Sequence, residues 1–310
     1  MSISLKLPLN TRFGFVVILL ESLEANKEAL QAAVLKKDLN VAKMIRTRVL
    51  DEEVFWPRIQ TVLKILKPIA NGITQLERDN ATLSDAVKIF HNLNEIIDQL
   101  IDKNDELITL TDWETIQKAI NKRSEACLKP IHFATYLLDP RYQGKSLTNA
   151  QLIYAYEIIE KLAGYLKIEN DNREVLNNLG DFREHTGFFS YDILWRTTKT
   201  HKPCYWWKGM YGSEIISPIA SRLLQLPPTS CACERNWSEH GNVHCLKRNR
   251  LKHEKVMKLV AVRHSLRTSK PVYNKFTVSY DKNANSTVIN DNCTSDDESH
   301  SAQELENDED

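Results

Sequence analysis

"LSDAVKIFHNLNEIIDQLI", Leu83 to Ile101, carries apolar residues at Val87, Phe90, Leu93, Ile97, Leu100 and Ile101, with polar residues between them. Steps of three and four bring these positions onto one face of an α-helix, and the spacing has none of the strict alternation of a half-buried strand. Ser84, just ahead of the apolar run, is read as its N-cap.

The same period extends outward on both sides. "VVILLESLEANKEALQAAVLKK", from Val16, places Leu19, Leu20, Leu23, Leu30, Val34 and Leu35 at helical spacing. "DEEVFWPRIQTVLKILKPIANGITQLERD" does so with Phe55, Ile59, Val62, Leu63, Leu66 and Ile69. Pro57 is tolerable in a first turn, whereas Pro68 is expected to kink or end its helix. Downstream, "DWETIQKAINKRSEACL" reads as a helix opened by Asp112, and "LTNAQLIYAYEIIEKLAGYLK" as one capped by Thr148.

Nine glycines and no alternating β-branched runs argue against a sandwich, a barrel or a repeating βαβ layout. The expectation is a mainly α chain, with a strand or two near Leu5 to Val17.

The texture changes after residue 185. "DILWRTTKTHKPCYWWKGMYGSEIISPIASRLLQLPPTS" is aromatic and proline-punctuated. Ser217 and Pro218 can start a helix through Ile219, Leu223 and Leu224, and Ser230 can cap another ending near Gly241 and Asn242. A last helix, "RLKHEKVMKLVAVRHSLR", sets Val256, Leu259, Val260 and Leu266 on one side.

The chain has 310 residues, 42% hydrophobic and 26% charged, enough for a substantial core. Its formal net charge of zero is uneven. The last twenty residues hold nine acids and no Lys or Arg, so the rest of the chain is basic and the tail is expected to be disordered. Six cysteines without a secretory signal point to reduced thiols. No apolar run reaches the roughly 20 residues of a membrane span. The protein is expected to be soluble and intracellular.

The stretch Pro227 to Leu251, "PPTSCACERNWSEHGNVHCLKRNRL", concentrates candidate chemistry. Cys-x-Cys is off the usual zinc pattern, and on a helix Cys231 and Cys233 lie about 200° apart around the axis, so no metal site is expected. Glu234, in a first turn, suits the helix dipole without any catalytic role, and a lone carboxylate is not an acid–base pair. Around "KPCYWWKGMYG", core packing of Tyr205, Trp206 and Trp207 is expected, with base stacking beside Lys202 and Lys208 as the alternative.

The segment "ASRLLQLPPTSCACERNWSEHGNVHCLKRNRLKHEKVMKLVAVRHSL" resembles the carboxy-terminal region of hAT-family transposases. The resemblance lies in Ala232, Glu234-Arg235, Trp237-Ser238, Gly241 and Arg248-Asn249-Arg250-Leu251, with Val256 and Leu259 beyond. Tryptophan stands at 237 where the family usually has phenylalanine. Upstream, "YLLDPRY" (Tyr136 to Tyr142), "YWW" (Tyr205 to Trp207) and "NTRFG" (Asn10 to Gly14) resemble further family elements in the same order.

The resemblance implies a ribonuclease H-like fold interrupted by a helical insertion. The corresponding division is residues 1–50 as a residual edge of that domain and a linking helix, 51–185 as the insertion, 186–268 as the dimerisation region and 269–310 as the acidic tail. It also implies a triad of two Asp and one Glu that binds divalent ions, with Glu234 as the Glu. The nine residues before Asn10 contain no acid, so the chain is expected to be catalytically incomplete. Mg²⁺ or Mn²⁺ would be held only if the two Asp came from elsewhere. The rival reading is part of an active DNA transposase or nuclease whose two Asp lie upstream or on another chain.

Dimerisation is expected to use Trp237, Leu251, Val256, Leu259 and Val260, with packing inside the chain as the alternative. Arg235, Lys247, Arg248, Arg250 and Lys252 are candidate contacts to DNA phosphates, as against a solvated basic face. The expected partners are a second copy or a related hAT protein and DNA, the expected location is the nucleus, and no membrane is involved.

Overall fold

A computed structural model describes residues 5–6, 14–36, 39–101, 108–168, 172–244 and 251–269. Among these residues the chain is mainly helical and no strand occurs. The amino-terminal helices are α1 (Gly14–Ala25), α2 (Lys27–Leu35), α3 (Lys43–Val49) and α4 (Phe55–Leu76). The middle is built from α5 (Leu83–Ile101), α6 (Leu110–Cys127), α7 (Pro130–Leu138), α8 (Asn149–Tyr165) and α9 (Asn172–Glu184). A 3₁₀ turn at Gly187–Ser190 leads to α10 (Asp192–Trp195), α11 (Pro203–Met210), α12 (Ser217–Leu223), α13 (Cys231–Val243) and α14 (His253–Ser269).

Several local expectations are corrected. Of the strand expected near Leu5 to Val17, residues 7–13 lie outside the described residues, and from Gly14 on the chain is helix, with Val17 packed against Trp56, Ile59 and Leu63 of α4. The single helix expected from Val16 is broken at Asn26. The buried Asn26 amide donates to the Ser22 carbonyl at 2.7 Å, the local side-chain bond by which Asn competes with helix continuation. Pro68 does not end α4, which runs on to Leu76. Ile65, Ile69 and Leu76 pack into one cluster with Ile89, Leu93 and Ile97 of α5, and that burial offsets the missing hydrogen bond. Gly72 belongs to the same contact: a Cβ there would lie 2.7 Å from an Ile89 methyl.

Two caps also move. Thr82 precedes α5, and its N–H donates to Asp85 Oδ2 at 2.8 Å, leaving Ser84 inside the helix. Thr109 caps α6 in a capping box with Asp112, one turn earlier than Asp112 itself would. Thr148 caps α8 as expected, paired with Gln151.

The main core gathers α5, α7, α8, α9, α11 and α12 around α7, in which every residue from Phe133 to Leu138 is buried. A buried polar lock at the end of α7 fixes α5 against this core. Asp139 is fully buried; it takes hydrogen bonds from Arg141 Nη2 at 2.7 Å and from Ser84 Oγ at 2.5 Å. Arg141 also reaches Asp85 at 2.9 Å, to which the Tyr142 hydroxyl donates at 3.0 Å. Burial works against the Arg141 charge, but the hydrogen bonds and attraction of Asp139, with Asp85 adding to them, hold its pKa above the usual value. Burial, and then the Asp85 charge, push the Tyr142 phenol up. The Asp-Pro-Arg-Tyr element is therefore structural, with its carboxylate committed to Arg141. The turn that follows uses Gly144 at φ +69°.

Candidate functional site

The region after residue 185 divides into two parts of different build. The first, from the 3₁₀ turn to α12, is an aromatic wall continuous with the main core. Trp206 and Trp207 are fully buried, and Phe182, Phe189, Trp195 and Tyr211 surround them. The indole donors are satisfied. Trp207 Nε1 donates to the Leu138 carbonyl at 2.8 Å, Trp206 Nε1 to Leu194 at 3.0 Å and Trp195 Nε1 to Phe189 at 2.7 Å. Tyr211 is buried without a hydrogen-bond partner for its hydroxyl among the described residues. Burial, and then the Glu214 charge, push its phenol up to about 12. Core packing thus holds for Trp206 and Trp207, while Tyr205 faces solvent.

The second part is the helical pair α13 and α14. It is tied to the corner between α4 and α5 by Arg235, which donates from Nη1 to the Glu77 carbonyl at 2.8 Å and pairs with Asp79. Thr229 Oγ1 adds a contact to the Leu76 carbonyl at 3.4 Å. Arg235, a candidate phosphate contact, is thereby engaged within the chain. Glu234 is exposed in the first turn of α13 and accepts from Ser230 Oγ at 2.7 Å. Ser230 is at the cap position but makes no side-chain bond to the backbone; its hydroxyl goes to Glu234. Cys233 is exposed and Cys231 partly buried. Among the described residues no three His, Cys, Asp or Glu side chains are grouped to hold a metal ion.

The five candidate dimerisation residues divide between two environments. Val256 and Val260 are buried against Val243 of α13, with Leu251 packed on them, so these three form the seam of the hairpin. Arg263 and Glu239, 3.4 Å apart, bridge the same two helices. Trp237 is 69% exposed and Leu259 43% exposed. Leu259 belongs to a ladder with Val262 and Leu266, also exposed. The steps of three and four place the ladder within roughly 60° of the helix surface, beside the buried seam. Sequence periodicity merged seam and ladder into one stripe, and Val262 was missed because it does not share the seam's phase. Lys252 precedes α14 and is exposed. Lys247, Arg248 and Arg250 lie outside the described residues.

These two parts make the segment a helical module with an anchored half and a half that presents apolar side chains outward. Residues 185–266 match the model of the hAT family C-terminal dimerisation region. The match begins at His185 and spans both the aromatic wall and the hairpin, so this part of the chain is similar to the carboxy-terminal dimerisation region of hAT-family transposases. No curated protein matches the chain. Among the described residues no helix is long and apolar enough to cross a membrane.

Proposed function

We propose that the chain acts as the self-associating module of a hAT transposase-derived protein, nuclear, with sequence-independent DNA contact and without nuclease activity of its own. The observation that carries the reading is the exposed ladder Leu259, Val262 and Leu266 on a hairpin inside a hAT dimerisation region. The hairpin's own seam is filled by Val243, Val256 and Val260, and among the described residues the ladder stays exposed beside it, where a second copy could meet it. The ladder side chains are already about half covered, so burying the rest of each against a partner contributes about 1 kcal/mol.

The divalent ions that the resemblance implies need several carboxylates around them. Among the described residues Glu234 belongs to no group of three His, Cys, Asp or Glu side chains placed to hold a metal ion, so no catalytic step is assigned to it. Purified chain given Mg²⁺ or Mn²⁺ should not nick DNA. Nicking abolished by Glu234→Gln would replace this reading with that of a nuclease completed from another chain. DNA contact is assigned to Lys252 with the neighbouring bases Lys247, Arg248 and Arg250, and it should fall steeply with salt.

Sedimentation velocity over a micromolar dilution series tests self-association. The expected result is a reversible shift between one chain and two. A single-chain species at every concentration refutes the reading.

A further inference from the structure

The surface formed by α10, α11 and the turn between them has no part in the hairpin, and its chemistry points to a different ligand. From Ile193 to Ser213 the sequence contains no acidic residue, while it carries Arg196, Lys199, His201, Lys202 and Lys208. All five are exposed. Among the described residues none of these Arg or Lys side chains forms a salt bridge.

On α11 the burial pattern is sharply two-sided. Cys204, Trp206 and Trp207 point into the core, and Lys202, Tyr205 and Lys208, three residues apart, point out. Tyr205 is 59% exposed, with the Lys202 ammonium 5.9 Å from its ring centroid. The scaffold beneath is rigid. Trp206 Nε1 bonds the Leu194 carbonyl of α10, and the Trp195 ring stacks on His185 at 4.0 Å. Asp192 and Glu214 bound the surface. Glu214 is already engaged by the Asn178 amide.

We propose that this face binds single-stranded nucleic acid, the bases Arg196, Lys199, Lys202 and Lys208 holding phosphates while an unpaired base stacks on Tyr205. Exposed bases along one acid-free stretch, with Lys202 beside a solvent-facing tyrosine ring, are what a single strand recognises. Charge tracks the backbone, and every base has a face to stack. A duplex offers the phosphates but no free base. The surface is distinct from the hairpin and does not depend on self-association.

Fluorescence anisotropy of a labelled thymidine homopolymer, titrated with the full chain at low salt, tests the assignment. The triple variant Lys199→Glu/Lys202→Glu/Lys208→Glu should bind more than about tenfold more weakly and lower the salt slope by about 2. Tyr205→Ala should weaken single-strand binding by about five- to a hundredfold, leave duplex binding unchanged, and be rescued by Tyr205→Phe. Light scattering should give every variant the wild-type mass, which separates this outcome from any failure of dimerisation. Three results overturn the proposal: no binding by the wild type, binding that these variants leave intact, or equal binding of polyglutamate.

Discussion

The aromatic wall and the α13–α14 hairpin belong to one family region, yet they hold their shape by different means. In the wall, Trp206, Trp207 and Phe182 are fully buried and the indole donors bond backbone carbonyls of α7 and α10, so the wall cannot loosen without opening the main core. Among the described residues the hairpin closes on a small apolar seam of Val243, Val256 and Val260, with Leu251 beside them, and leaves larger side chains outside. The difference separates two roles. One half is continuous with the main core, and the other, held to it at the α4–α5 corner, leaves the apolar side chains that the proposed self-association would use exposed.

The wall should be far more sensitive to truncation than the hairpin. Trp207→Ala removes a fully buried indole and strands the Leu138 carbonyl, and it should cost about 3–5 kcal/mol, seen as a large fall in the chemical denaturation midpoint. Asp139→Ala should follow closely, at about 3–5 kcal/mol, because it leaves the Arg141 charge without its main partner. A milder response to either would show that the core around α7 is not what stabilises the region.

Charge in the hairpin seam should act locally. Val256→Asp with Val260→Asp should melt α13 and α14 while the thermal transition of the remaining helices stays within a few degrees of wild type. Circular dichroism would show a partial loss of helicity, and proteolysis would move into residues 231–266. Collapse of the whole chain would mean that hairpin and wall are one cooperative unit.

The smallest effects are those of single groups in the core. Tyr211→Phe removes a buried hydroxyl that has no partner among the described residues, so stability should be unchanged or slightly raised. His91 and His132 have pKa values held below the ordinary value, chiefly by burial and further by the Lys88 and Lys129 charges respectively; Glu95 acts against this at His91 and a backbone hydrogen bond with Lys129 does so at His132. A depressed histidine pKa favours the neutral ring in the folded state. Its contribution is therefore complete above about pH 6.5 and is lost as pH falls below that. Melting curves between pH 7.5 and 5.5 should show a modest fall in midpoint, reduced in His91→Gln.

Much of this was legible in the sequence because apolar period and caps are local signals. The helices from Leu83, Asn149, Ser217 and Cys231 lie where the spacing of their apolar residues and the caps or prolines nearby put them. The errors arose where a tertiary partner decided the outcome. Pro68 stays helical because the apolar face continues beyond it, and Ser84 is diverted from capping by Asp139, 55 residues away. In the candidate site, Trp206 and Trp207 could be assigned to the core from their type, but Tyr205 beside them could not be told apart without the helix phase. Val256 and Leu259 likewise share a stripe in the sequence. Only the position of Val243 shows that the first faces the chain itself and the second does not.

Light scattering beside circular dichroism on Leu259→Asp/Val262→Asp/Leu266→Asp tests the central claim most directly. The wild type should have twice the mass of the 35.8 kDa chain and the variant the mass of one chain with unchanged helicity, since these side chains lie outside the buried seam of the monomer. A variant that keeps the wild-type dimer mass, or a wild type that is a single chain at high micromolar concentration, would contradict it.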